Sequence, residues 1–204
     1  MNKALFLVAF ATAPDAALAG TLDVTVRDAA GKPVRDAVVT VAAAGKPAGR
    51  ARFPWPARVT QQDIQFDPYV LIVPVGAAVA FPNKDKVRHH VYSFSKSKKF
   101  DLKLYGREES RTVTFDKAGP VALGCNIHDG MTAFIKVVDT PWAAKTDAAG
   151  RASIGDLPAG AAKVVVWHPY ARVKGNEVAM AVSLPTGGKT ARSVTLALAP
   201  GPRH

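Results

Sequence analysis

The feature that most constrains this chain is its rhythm. Short runs rich in Val, Ile, Thr and aromatic residues recur along most of its length: LDVTV (22–26) alternates apolar and polar side chains, and YVLIVPV, AAVAF, HHVYSF, RTVTF, TAFIKVV, AKVVVW and SVTLAL share its character. Turn signals separate them, among them DAAGKP (28–33), FPNKD (81–85), DKAGP (116–120), TDAAGR (146–151) and LPAG (157–160). Runs of this length and composition, bounded by Gly, Pro, Asn and Asp, form strands. With 15 Pro and 16 Gly distributed through 204 residues, no stretch offers a long uninterrupted helix. The expected fold is all-β.

The first residues, MNKALFLVAFATAPDAALAG, combine Lys3, a short apolar run and an Ala17-Leu18-Ala19 triplet. That order is expected of an export signal (1–19) cut before Gly20, and it predicts a periplasmic protein. No later stretch reaches the roughly 18 to 20 apolar residues of a membrane-spanning helix, so no membrane span is expected. The formal charge is +11, and losing Lys3 and Asp15 with the signal leaves it unchanged. Export argues against a nucleic-acid partner. An acidic protein is the specific partner such a surface fits, and a generally solubilising charge is the plain alternative.

About 185 residues remain, enough for one large or two small domains. TLDVTVRDAAGKPVRDAVVTV (21–41) resembles the opening strands of the carboxypeptidase regulatory-like domain, a small immunoglobulin-like β-sandwich. TDAAGRASIGDLPAGAAKVVVW (146–167) resembles that family's later strands. About a hundred residues separate the halves. The expectation is a sandwich built from 20–59 and 140–200 that hosts a second domain, 60–139, in a surface loop, with 201–204 as a tail. Two consecutive β domains, or one continuous sandwich, are the alternatives.

The chemistry lies in the middle segment. CNIHDGM (125–131) holds the chain's single cysteine, and Cys125, His128 and Met131 follow one another at intervals of three between two expected strands. Soft sulfurs favour Cu(I) while imidazole serves both oxidation states, so thiolate, imidazole and thioether in one loop suit an ion cycling between Cu(I) and Cu(II). A fourth ligand must come from elsewhere. His89-His90 supplies it, 36 residues before the cysteine. Successive strand residues point to opposite faces, so one of the two faces the metal, and alternation alone does not say which. A lone cysteine is otherwise a small buried hydrophobe. Zinc is the competing metal, but thioether is a poor ligand for it.

FDPYVLIVPVGAAVAFPNKDKVRHHVYSF and RTVTFDKAGPVALGCNIHDGMTAFIKVV together resemble the cupredoxins, the Greek-key copper sandwiches that include plastocyanin and amicyanin. The short C-x-x-H-x-x-M loop is of the amicyanin kind, and the linked layout is similar to proteins labelled methylamine utilisation proteins. The resemblance implies one type 1 copper held by His89, Cys125, His128 and Met131, with His90 where the family usually has Asn. It also implies electron exit through the edge of His128. Two departures stand out: Gly124 precedes the cysteine where an aromatic is common, and Asp129 follows His128. With His90 in place of Asn, the hydrogen bond that ties the family's ligand loops together is expected to be absent or supplied differently.

The implied function is single-electron transfer between redox partners, with copper storage or delivery as the alternative. Four protein ligands leave no open position for a substrate, and no catalytic constellation stands out, so no enzyme activity is expected. Lys84, Lys86, Arg88, Lys96, Lys98, Lys99 and Lys103 flank His89 against only Asp85 and Asp101. Such a collar suits an acidic redox protein, a cytochrome or a dehydrogenase; lysines guarding a strand edge would look the same. Asp67, Asp101, Glu108 and Glu109 are expected as solvated turn charges, His168 as a structural or exposed histidine, and Trp55, Trp142 and Trp167 as packing of the host sandwich or its interface.

Overall fold

The computed structural model describes residues 20–45 and 51–201. The expected export signal (1–19) and residues 202–204 of the expected tail lie outside them. The first strands are β1 (Gly20–Asp28), β2 (Val38–Ala43), β3 (Thr60–Gln62), β4 (Gln65–Asp67), β5 (Val70–Pro74) and β6 (Ala77–Pro82). Then come β7 (His89–Ser95), β8 (Lys98–Tyr105), β9 (Ser110–Phe115), β10 (Gly119–Cys125) and β11 (Thr132–Val138). The last are β12 (Ala143–Lys145), β13 (Arg151–Leu157), β14 (Gly160–Trp167), β15 (Glu177–Leu184) and β16 (Lys189–Leu196). Among the described residues the helical content is one 3₁₀ turn, Lys174–Asn176. The fold is all-β.

Two hydrophobic cores organise these strands. The first is built by a three-stranded sheet, β13-β1-β16, and a four-stranded sheet, β12-β2-β14-β15. Alternation drives it: Leu22, Val24 and Val26 of β1 are buried, as are Val39 and Val41 of β2, Val164 and Val166 of β14 and Val194 of β16. Burying one face and wetting the other is what period-2 patterning dictates in a sandwich. Strand β1 pairs in parallel with β16 and antiparallel with β13, so residues 20–28 lie beside two strands from the far end of the chain.

The second core lies between the five-stranded sheet β5-β11-β10-β7-β8 and the smaller pairs β6-β9 and β3-β4. Phe81, Tyr105, Phe115, Val121 and Ile135 are fully buried in it. A third cluster, Val38, Val70, Ile72, Val138 and Trp167, takes residues from both sets of sheets. There Trp55 Nε1 donates to the Ile72 carbonyl at 2.8 Å, and Tyr69 and Tyr170 share a hydroxyl hydrogen bond of 2.9 Å. Lys145 Nζ joins the Val70 carbonyl at 3.0 Å to the Asp36 carboxylate at 2.9 Å.

One local feature is strained. The turn between β3 and β4 is Asp63-Ile64, with φ of 55° and 56°. A β-branched residue in the left-handed region is a genuine outlier, costing about 1–2 kcal/mol. The two-residue hairpin loop, closed by the Gln62–Gln65 pair, imposes that φ, and Ile64 is 49% exposed. Ile64→Gly is expected to stabilise the protein by about 0.5–1 kcal/mol, since glycine's unfolded-state entropy offsets part of the relief. Thermal unfolding should register it as a rise of about 1–3 °C.

Candidate metal centre

Strand β10 ends at Cys125 and β11 begins at Thr132, so the ligand loop is the connection of an antiparallel hairpin. The loop is closed on itself: Cys125 N–H donates to the Met131 carbonyl at 3.2 Å, and Met131 N–H to the His128 carbonyl at 2.9 Å. Those bonds bring the first and last donor residues of the loop to one end of the sheet. Strand β7 supplies the upstream histidine, because Cys125 pairs with Val91 and Gly124 with Tyr92 in the β10–β7 register.

That register separates the two adjacent histidines. His89, Val91 and Ser93 point into the core and are fully or almost fully buried, whereas His90, Tyr92 and Phe94 lie on the outer face. His89 Nδ1 is 3.9 Å from Cys125 Sγ, and His128 Nδ1 is 3.7 Å from the same sulfur. The two imidazole rings are 5.0 Å apart between centroids. One donor atom each from His89, Cys125 and His128 lie within 4.8 Å of one another. Met131 is buried at 2% exposure in the same core cluster as Cys125.

The spacing fits a metal ion. For bonds of about 2.0 Å to nitrogen and about 2.3 Å to sulfur, spread trigonally, donor atoms lie about 3.7 Å apart. A thiol with two imidazoles, and a methionine buried in the same core, is a donor set that suits copper. His90 stands apart from this group. Its Nε2 is hydrogen-bonded to Asp101, which also holds Lys103 Nζ at 2.6 Å.

Several expectations need correction. Asp101 and Asp67 are strand residues of β8 and β4 instead of turn charges. Glu109 does serve a turn, accepting Gly106 N–H at 2.9 Å. His90 is hydrogen-bonded to Asp101 of β8, and the expected upstream ligand His89 is anchored by Asp85 and its neighbours. Asp85 Oδ2 lies 2.7 Å from His89 Nε2, while its two oxygens accept the backbone N–H groups of Asp63 at 2.7 Å and Ile64 at 3.1 Å. Asn83, fully buried, accepts Asp85 N–H and donates to the carbonyls of Val87 and Tyr105. Burial pushes the Asp85 carboxyl upward. The hydrogen bonds from His89, Ile64 and Asp63 outweigh it, and the group titrates below the ordinary carboxylate range.

Sequence reading passed over Asp85 as an acid among lysines. The available signal was its place in the FPNKD turn, four residues before His89. Gly124 also finds its reason. A Cβ there would stand 2.8 Å from the ring carbon and hydroxyl of Tyr92, so glycine makes room for a ring that β7 provides.

Around the site, His128 through Met131 form one wall of a groove of about 1180 Å³ whose other walls include Tyr69, Tyr170, His168 and Lys145. Burial lowers the pKa of His168. Of the basic collar, Lys84 pairs with Glu108 at 3.0 Å, Lys98 with Asp116 at 3.1 Å and Lys103 with Asp101. Strand β8 is a sheet edge, where lysines also discourage strand addition.

No model of a known protein family matches the chain, and no curated protein matches it. Solved structures do. They include the Cu-containing nitrite reductase of Thermus scotoductus SA-01, 29% identical over 45% of this chain and 24% of that one, with a TM-score of 0.39. The purple cupredoxin of Nitrosopumilus maritimus is 20% identical over 40% of this chain and 99% of that one, with a TM-score of 0.37. A proline-to-glycine mutant of amicyanin in its reduced Cu(I) form is 19% identical over 49% of this chain and 98% of that one, with a TM-score of 0.39. The chain thus spans about a quarter of the reductase. Among the described residues no helix is long and apolar enough to cross a membrane.

Proposed function

We propose that this protein is a periplasmic blue-copper electron carrier, with one type 1 copper held by His89, Cys125, His128 and Met131. The observation that carries the reading is the convergence of both imidazole Nδ1 atoms on a buried thiol sulfur, at 3.9 and 3.7 Å. Bound there, copper supplies a one-electron Cu(I)/Cu(II) couple. The chain supplies the rest. Buried walls keep bulk water from the thiol, which is 5% exposed. The hairpin loop fixes its donors through backbone hydrogen bonds, so little rearrangement accompanies a change of charge. His128, partly exposed at the groove, gives the electron a route to solvent. The strands around the first core, 20–59 with 140–200, act in this reading as a scaffold around a copper sandwich at 60–139.

The exchange partner is an acidic redox protein attracted by the collar between Lys84 and Lys103, and association should slow as salt screens it. No catalytic turnover is proposed. The test is electrochemical. The copper-loaded protein should show a reversible one-electron wave through repeated cycles while retaining its metal against a chelator. Rapid loss of copper to the chelator, with no stable wave, would replace the carrier by a storage or delivery protein.

A further inference from the structure

We infer that Asp85 is a positioning residue for His89, held in place by the backbone amides of the Asp63-Ile64 turn. This rests on the copper reading above and extends it to residues outside the ligand set. Four observations converge. Asp85 Oδ2 and His89 Nε2 are 2.7 Å apart, a short contact of the kind that charge-assisted bonds make. His89 is fully buried, so no water competes for that ring nitrogen, and Nδ1 is left facing Cys125. The carboxylate has little freedom of its own, because the Asp63 and Ile64 amides donate to its two oxygens while Asn83 Oδ1 accepts the Asp85 backbone N–H. Those two amides belong to the two-residue hairpin loop closed by Gln62 and Gln65, whose positive φ at Asp63 and Ile64 accompanies the aim of both N–H groups at Asp85.

The chemistry follows from the contact. A carboxylate accepting the Nε2 proton selects the tautomer whose Nδ1 lone pair is free, fixes the ring plane, and makes the imidazole a stronger donor. A stronger, more negative donor favours the more positive oxidation state. Asp85 should therefore lower the reduction potential and tighten metal binding. The turn that holds Asp85 lies at the surface: Gln62, Asp63 and Ile64 line the same groove as His128.

The test uses the full chain and two variants. In metal-free wild-type protein at neutral pH, nitrogen-15 NMR should find His89 with its proton on Nε2. That readout stands whether or not copper forms a blue site, so failure here and failure of the carrier reading are separable. Asp85→Asn keeps the shape and removes the charge; Asp85→Ala removes the acceptor. Asp85→Ala is expected to weaken metal affinity about 10- to 100-fold. Asp85→Asn is expected to weaken Cu(II) relative to Cu(I) by about tenfold, raising the potential by about 59 mV for one electron. Should Asp85→Ala fail to fold, Asp85→Asn and the wild-type tautomer decide. A His89 proton on Nδ1, or an Asp85→Asn protein with unchanged potential, overturns the inference.

Discussion

Cys125→Ser is expected to abolish the intense visible absorption of the copper-loaded protein outright, the largest spectroscopic effect any single substitution should produce. The sulfur is the atom on which both imidazoles converge. A serine hydroxyl at neutral pH stays protonated and lacks the soft, easily oxidised electrons of a thiolate, so the charge-transfer transition disappears with the sulfur. Because the side chain is buried, the variant also places a hydroxyl where an apolar group packed. Met131→Gln provides the contrast: copper should remain bound and the band should shift, since a weak thioether donor would tune the site without defining it. A Cys125→Ser protein that kept the wild-type colour would place the metal elsewhere.

Gly150→Ala is expected to be the most damaging small substitution for the fold, at about 3 kcal/mol. Gly150 has φ of 74°, and an added Cβ would meet the Val26 carbonyl oxygen at 2.4 Å and the Val34 nitrogen at 3.1 Å, both backbone atoms that cannot swing aside. Its own carbonyl accepts Val26 N–H at 2.7 Å, so relief by moving the turn would break a bond to β1. Gly31→Ala is the control. Gly31 has a similar φ of 78° with nothing within 4 Å of its Cβ position, so only the left-handed cost of about 1 kcal/mol applies. Thermal unfolding should separate the two, with a fall of about 6–12 °C for Gly150→Ala and about 2–4 °C for Gly31→Ala. Equal effects would contradict the close packing of the Asp147–Gly150 turn against β1.

How much of this the sequence discloses depends on how local the determining physics is. Strands β1, β6, β9 and β11 were legible because alternation or apolar density is written in adjacent residues. Strand β8, KKFDLKLY, was not: its lysines read as a charged collar, and only an edge position lets such a strand pair on one side. Strand β15 hid similarly, since only Val182 and Leu184 of EVAMAVSL are buried. At the site, the 125–131 loop announced its donors by spacing. The facing of His89 over His90 rests on the pairing of Cys125 with Val91, a contact between distant segments. Asp85 was hidden for the same reason, because the amides that fix it belong to a turn more than twenty residues away.

The central claim is a copper–thiolate centre, and the measurement that tests it most directly is the visible absorption and EPR spectrum of the protein after addition of Cu(II). The account predicts an intense visible charge-transfer band with narrow copper hyperfine splitting, reflecting electron density shared with the Cys125 sulfur. A pale, ordinary Cu(II) spectrum, or no bound copper at all, would contradict it and leave the His89, Cys125 and His128 cluster without the role assigned to it.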